Sequence, residues 1–489
     1  NIASFNIVTD SLKEFVVIEN SSEMPIKFGF VANQDLHGLP QQDMLIVTRT
    51  AFLSHAQTLA QFHQNKENLR VAVVDINQVF NEFSSGTNDV TAIRNFVKMF
   101  YDRANGNTAQ MPKYLLLFGD GTYENKNLGE YFLPTYQSDK TYESLDTYVA
   151  DDYFGILDDN EGGDITNTSS EKIDVAVGRI PADDVIKAQS AIDKIKVYYS
   201  NASYGEWRNQ GTFIADDEDV NIFINSADLF ANNYTSALPQ VNMDKIYLDA
   251  FQQQSGTGGQ KYPVVNETVN RKLFTGSLFV NYIGHGNPLV LAKEAILTID
   301  DINQWTNATK LPLFIAATCD YAPYDKPSEY SAGERILFKP DGGGIGLVAT
   351  TRVVFASDND DINSNFMQQM ALAYYNQQTK LGDIVRIAKN LTSTQEGNRK
   401  FTLLGDPALR LAFPTYKVVP TKINNIDISL PHDTIKALSR ITIEGEVQNN
   451  SNILINTFQG IAAISIYDKS KTIRTLVNDP ISSGYPDGS

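Results

Sequence analysis

Leu278-Phe279-Val280-Asn281-Tyr282-Ile283-Gly284-His285-Gly286 decides how this chain is read. A run of apolar and aromatic residues stops at a histidine held between two glycines. A strand buried on both faces of a parallel sheet reads this way, and flanking glycines leave room for another main chain to come close. A second stretch has the same grammar. Leu311-Pro312-Leu313-Phe314-Ile315-Ala316-Ala317-Thr318-Cys319-Asp320 runs from an apolar strand straight into the only cysteine of the chain. The separation, 319 − 285 = 34 residues, leaves room for a crossover between parallel neighbours. In open parallel sheets sites form just beyond the carboxyl ends of the strands. If these two strands are neighbours, His285 and Cys319 stand side by side.

The same pattern extends in both directions. Strands at 44–47, 71–74, 114–118 and 173–177 alternate with helices at 52–64, 89–103 and 183–200. Strands at 212–215, 245–248, 277–283, 313–317 and 345–349 follow, with helices at 221–233, 263–274, 362–376 and 381–395. This predicts an α/β protein with two adjacent parallel-sheet subdomains, 41–205 and 206–412, the second carrying the candidate site. A lead-in segment, 1–40, precedes them. After Pro414 the helical period disappears, and Thr, Ile and Val alternate between turn signals such as Asn449-Asn450. Residues 413–489 are therefore expected to form a partial immunoglobulin-like β-sandwich. With no initiator methionine and a turn-like tail, the chain reads as an internal piece of a longer protein.

Composition narrows the function. Of 489 residues, 42% are hydrophobic and 20% charged, as in a chain that builds a real core. Forty basic against 58 acidic residues leave a formal charge of −18, which argues against nucleic acid as a partner. One cysteine excludes an internal disulfide. No stretch is long and apolar enough to span a bilayer as a helix.

A lone cysteine that ends a buried strand is often plain packing, and a histidine between glycines can be a turn residue. The pairing changes that balance. A thiolate, not a thiol, is the nucleophile, and a neighbouring imidazole can take the proton and later deliver it to a leaving amine. The amides of Gly286 and Cys319 are candidate donors to the oxyanion. His37, His55, His63 and His432 show no zinc-ligand spacing. Three acidic runs, 158–164, 216–219 and 358–361, have calcium-compatible donors without full EF-hand spacing, and are read first as solvated loops. Asp216 and Asp217 end a strand, which allows the other reading, that they sit by the cleft.

Val280 to Gly286 resembles the histidine motif of the gingipain family of cysteine peptidases, and Leu311 to Cys319 resembles its cysteine motif. Asp151-Asp152-Tyr153-Phe154-Gly155, Val177-Gly178-Arg179-Ile180 and Phe401-Thr402-Leu403-Leu404-Gly405-Asp406-Pro407 resemble further family segments in the right order. The resemblance covers roughly 40–412. It implies a caspase-like catalytic subdomain, a dyad of Cys319 and His285, and Asp151 as the carboxylate that receives a basic substrate side chain. Glu143 and Asp146 are the candidates for orienting the histidine. No cofactor is required, and structural calcium stays open. The wording of 79–86, 133–138 and 151–155 is similar to members that serve as sortases of type IX secretion. That implies a surface protein, associated with the outer membrane, that removes C-terminal sorting domains from secreted cargo and passes the new carboxyl end to lipopolysaccharide. Its partners would be that cargo, the lipopolysaccharide acceptor and other type IX components. A silent scaffold that only docks sorting domains, and a secreted hydrolase without transfer, are the alternatives.

Overall fold

The computed structural model describes residues 30–478 apart from 127, 141, 258, 437, 461–463, 465 and 467–471, together with positions 4, 6 and 7. The lead-in segment lies mostly outside the described residues.

Ten strands form one sheet: β1 Met44–Thr48, β2 Val71–Asp75, β3 Tyr114–Phe118, β4 Ala176–Ile180, β5 Gln210–Ala215, β6 Asn242–Tyr247, β7 Phe279–Ile283, β8 Leu313–Ala317, β9 Gly346–Thr350 and β10 Phe401–Leu404. Their spatial order is β2-β1-β3-β4-β10-β9-β8-β7-β5-β6. Every residue of β1, β3, β7, β8 and β9 is buried. That is why these strands are continuous apolar runs rather than alternating ones: helices cover both faces. The helix Val90–Ala104 shows how each cover forms. Asp89 caps it by accepting from the Thr91 amide, and Asn105 ends it in a left-handed conformation. Ala92, Ile93, Phe96, Val97, Phe100 and Ala104 line its buried side at helical spacing. Each fully buried phenylalanine there contributes roughly 1.5–3 kcal/mol.

The two predicted subdomains are joined edge to edge through β10. This strand pairs antiparallel with β9 and parallel with β4. The strands β1–β4 therefore run opposite to β5–β9, and the carboxyl ends of the two halves open on opposite rims. Strand β4 begins three residues later than the sequence pattern suggests, at Ala176 instead of 173. Gly178 and Arg179 interrupt the apolar run, so pattern alone ends the strand too soon. A glycine is required because a Cβ at 178 would lie 2.6 Å from the Gly405 carbonyl. The arginine is tolerated because an internal carboxylate meets it.

The described part of 413–489 holds a three-stranded antiparallel sheet of Tyr416–Ile423, Ile426–Asp427 and Ile443–Asn449. This is consistent with the expected β-sandwich. Among the described residues no helix is long and apolar enough to cross a membrane.

Candidate active site

Register places the two candidate residues. Strand β7 lies between β5 and β8, parallel to both, with Ala215, Ile283 and Ala317 in line at the three carboxyl ends. His285 and Cys319 each stand two residues past that line. The loop after β5 carries Asp216-Asp217-Glu218-Asp219 at the same step. Gly284 makes the turn into His285. Its φ is +154°, and a Cβ there would collide with Asp216 and come within 2.7 Å of the Tyr282 hydroxyl, so only glycine fits.

The main chain of His285 is fixed from both sides. Its amide donates to Asp216 Oδ2 at 2.9 Å, and its carbonyl accepts from the Tyr282 hydroxyl at 2.5 Å. The imidazole packs edge-on against Phe223, with centroids 5.3 Å apart. Its Nε2 lies 3.0 Å from Asp219 Oδ2 and 3.4 Å from Glu218 Oε2. The family resemblance points to Glu143 and Asp146 for this contact. Neither makes it: Asp146 faces Lys140 at 3.8 Å, and Glu143 is exposed. The signal was available in the acidic run itself, since it ends a strand beside the histidine strand.

Cys319 is half-buried, and its Sγ lies 3.7 Å from the Val354 carbonyl. No hydrogen bond joins it to His285. Burial pushes its thiol pKa up; the Val354 bond and, more weakly, Lys400 work against that, and Asp320 adds to it. The thiol is therefore not activated by its fixed surroundings. Gly286 faces Leu291 in an antiparallel bridge whose hydrogen bonds come from the flanking residues, Ala292 to the His285 carbonyl and Asn287 to the Val290 carbonyl. In such a pair the central amide turns outward. Among the described residues neither the Gly286 nor the Cys319 amide has an acceptor.

A Cβ at Gly286 would lie 2.6 Å from Thr318 Oγ1, which is fully buried. Gly286→Ala is expected to cost about 1–3 kcal/mol through this overlap. Thr318→Ala added to it should restore most of the loss. Urea unfolding of the single and double variants checks this, and additive losses would sink the contact.

Asp151 occupies a different setting. Its carboxylate pairs with Arg179, Nε to Oδ2 at 2.7 Å and Nη2 to Oδ1 at 2.8 Å, and both residues are buried. The expected role of Asp151 as receiver of a basic substrate side chain does not fit this geometry, because an internal guanidinium already takes both oxygens. Asp152 is also occupied, by Lys389 at 2.6 Å and Arg399 at 3.1 Å.

The acidic runs divide in the same way. In 158–164, Asp158 accepts from Tyr101, Asp159 pairs with Lys98, and Asp164 accepts from Thr166. In 358–361, Asp360 accepts from Ser226 and Asp361 from Ser393. The third run brings Asp216 and Asp217 together with Glu294 from the loop after Gly286, one oxygen of each within 4.8 Å of the others. Burial pushes all three carboxyls up, Asp217 to about 6.

Residues 37–412 match the family model for peptidase family C25. The chain belongs to this family. C25 is the gingipain family, and the fold described above is that of its cysteine peptidases. The C25 chain is similar to the Arg-specific cysteine proteinase gingipain R, with a TM-score of 0.60 and 16% identity over 85% of this chain and 90% of that one. It is similar to the complex of RgpB pro- and mature domains from Porphyromonas gingivalis, with a TM-score of 0.59 and 17% identity over 77% and 82%. Dimeric latent PorU from Porphyromonas gingivalis gives 26% identity and a TM-score of 0.49, over 88% of this chain and 36% of that one. No curated protein matches the C25 chain.

Proposed function

We propose that the chain is a cysteine endopeptidase of the sortase kind, with Cys319 as nucleophile and His285 as base. The register that sets both residues two steps past Ile283 and Ala317 carries this reading. His285 takes the Sγ proton, and the thiolate attacks the substrate carbonyl carbon. The Gly286 and Cys319 amides hold the oxyanion. The C–N bond then breaks, and the leaving amine takes the proton from the imidazolium. The acyl group remains as a thioester on Cys319. Water converts it to an acid, and an amine on the acceptor converts it to a new amide. Because burial, with Asp320 beside it, raises the thiol pKa, reactivity near neutral pH depends on the imidazole turning from Asp219 towards Sγ.

The sequence likeness at 79–86, 133–138 and 151–155 supports the sortase reading, whose thioester serves hydrolysis and transfer alike. On this reading the substrates are secreted cargo proteins with C-terminal sorting domains, and the acceptor is lipopolysaccharide. The site of action is the cell surface, at the outer membrane, beside other type IX components. No supporting feature is found for selecting a basic residue through Asp151.

The alkylation rate of Cys319 by iodoacetamide against pH, in wild type and His285→Ala, tests the dyad. Wild type is expected to react well below the ordinary thiol pKa of about 8.5, and the variant to lose that reactivity. A thiol inert until unfolding would leave a docking scaffold. A supplied amine that never appears in the product would leave a secreted hydrolase.

A further inference from the structure

One buried lysine close to Cys319 has no place in the chemistry above. Lys400 ends the short helix Glu396–Lys400 and leads directly into β10. It is 1% exposed. Its Nζ donates to two main-chain carbonyls, that of Val353 at 2.8 Å and that of Leu145. Val353 precedes Val354, whose carbonyl is the one contact of Cys319 Sγ. The same loop is held at two further points. The Thr351 amide donates to the Lys400 carbonyl at 2.8 Å, and the Asp320 amide donates to the Arg352 carbonyl at 3.2 Å. Residues 351–354 are thus pinned both to Lys400 and to the strand-end loop that carries the thiol.

Burying an ammonium is costly unless something of opposite charge meets it. The other buried lysines show how this is usually met. Lys380 pairs with Glu67 and Lys389 with Asp152. Lys194 donates to the Ile336 and Leu337 carbonyls, which lie at the negative end of the helix Ala332–Phe338. Lys400 has neither arrangement. Among the described residues it makes no ion pair, and its two carbonyls belong to no helix. Burial lowers its pKa, while Asp358, Glu396, Asp146 and Cys319 work against that from a distance. It is also the only lysine or arginine whose charge acts on the Cys319 thiol, and it acts towards the thiolate. We propose that Lys400 is a positioning residue for Cys319, holding the Val353–Val354 segment against the nucleophile and keeping a positive charge near the sulfur as the thiolate forms. This rests on Cys319 being the nucleophile. The proton still passes from Sγ to His285, and Lys400 neither gives nor takes one. Its charge does not activate the thiol by itself; it adds to the imidazole, because a nearby cation favours the ionised form of a thiol.

The test follows alkylation of Cys319 by iodoacetamide against pH in the whole chain, with urea unfolding beside it. Lys400→Gln keeps a donor for the carbonyls and removes the charge. At pH 7 it should react about fivefold or more slowly than wild type. At high pH, where the thiol is ionised in both proteins, the two rates should converge. A lysine that only braced the loop would change urea stability without this pH dependence. Lys400→Met suits a buried position and is the second variant if Lys400→Gln fails to fold, with the same expectation. A folded variant that tracks wild type at every pH overturns the role, and so does one that lies below it by a single constant factor. His285→Ala is run in parallel. If it coincides with wild type, the peptidase reading fails, yet the effect of Lys400 is still read on the same thiol, so the two failures are told apart.

Discussion

Cys319→Ala should abolish cleavage and transfer while the protein stays folded. No other thiol exists in the chain to take over, and loss of a catalytic nucleophile lowers turnover by at least about 10⁴-fold. The side chain is half-buried, and its one hydrogen-bond partner is the Val354 carbonyl at 3.7 Å, a weak contact. Stability should therefore change by no more than about 1 kcal/mol. Release of the C-terminal domain from a cargo protein, followed beside urea unfolding, measures both. Cys319→Ser should fail as well, because a hydroxyl lacks the acidity that an imidazole can exploit in a thiol. Residual release within tenfold of wild type would remove Cys319 from the nucleophile's role.

The largest loss of stability is expected at Arg179. Its side chain is fully buried, pairs with Asp151, lies 3.3 Å from the Gly119, Asp120 and Pro134 carbonyls, and stacks over Tyr324 at 5.0 Å. It therefore ties the loops after β3 to the loop that follows Cys319. Arg179→Ala leaves the Asp151 carboxylate buried and unpaired, a loss of about 3–5 kcal/mol. Replacing both partners, Arg179→Met with Asp151→Asn, should cost less than the sum of the two single changes. Denaturant unfolding of the three variants decides this. The outcome also tests the substrate role of Asp151. Should Asp151→Ala keep its stability and lose affinity only for substrates with a basic residue, the internal pair is dispensable and Asp151 faces the cleft.

Legibility followed the kind of signal each element carries. The strands holding Tyr114–Phe118 and Leu313–Ala317 were read at the bounds they have, because burial on both faces makes them continuous apolar runs. Strand β4 was misplaced because Gly178 and Arg179 break that run for reasons that lie elsewhere in the chain, at Gly405 and Asp151. Strand β10 was read only as a closing segment. Four residues leave little periodicity to detect, and their pairing with β9 and β4 is entirely non-local.

The candidate dyad was legible because each residue is joined by a short covalent path to a strand end, and strand ends are where parallel sheets open. The use of each carboxylate was not. Asp151, Asp152, Asp216, Asp217 and Glu218 look alike along the chain, and their neighbours in sequence do not say which cation each meets. Arg179 and Lys389 close the first two, Lys293 meets Glu218, and Asp216 and Asp217 meet Glu294 across 77 residues, 294 − 217. Charge pairing in a protein interior is a property of distance in space. The amino-acid order thus determined the strands buried on both faces and the two residues that stand just past adjacent strand ends. Only the packed structure decided which acids meet an internal cation and which, behind the histidine, meet only hydrogen-bond donors and one another, because those distances are set by folding.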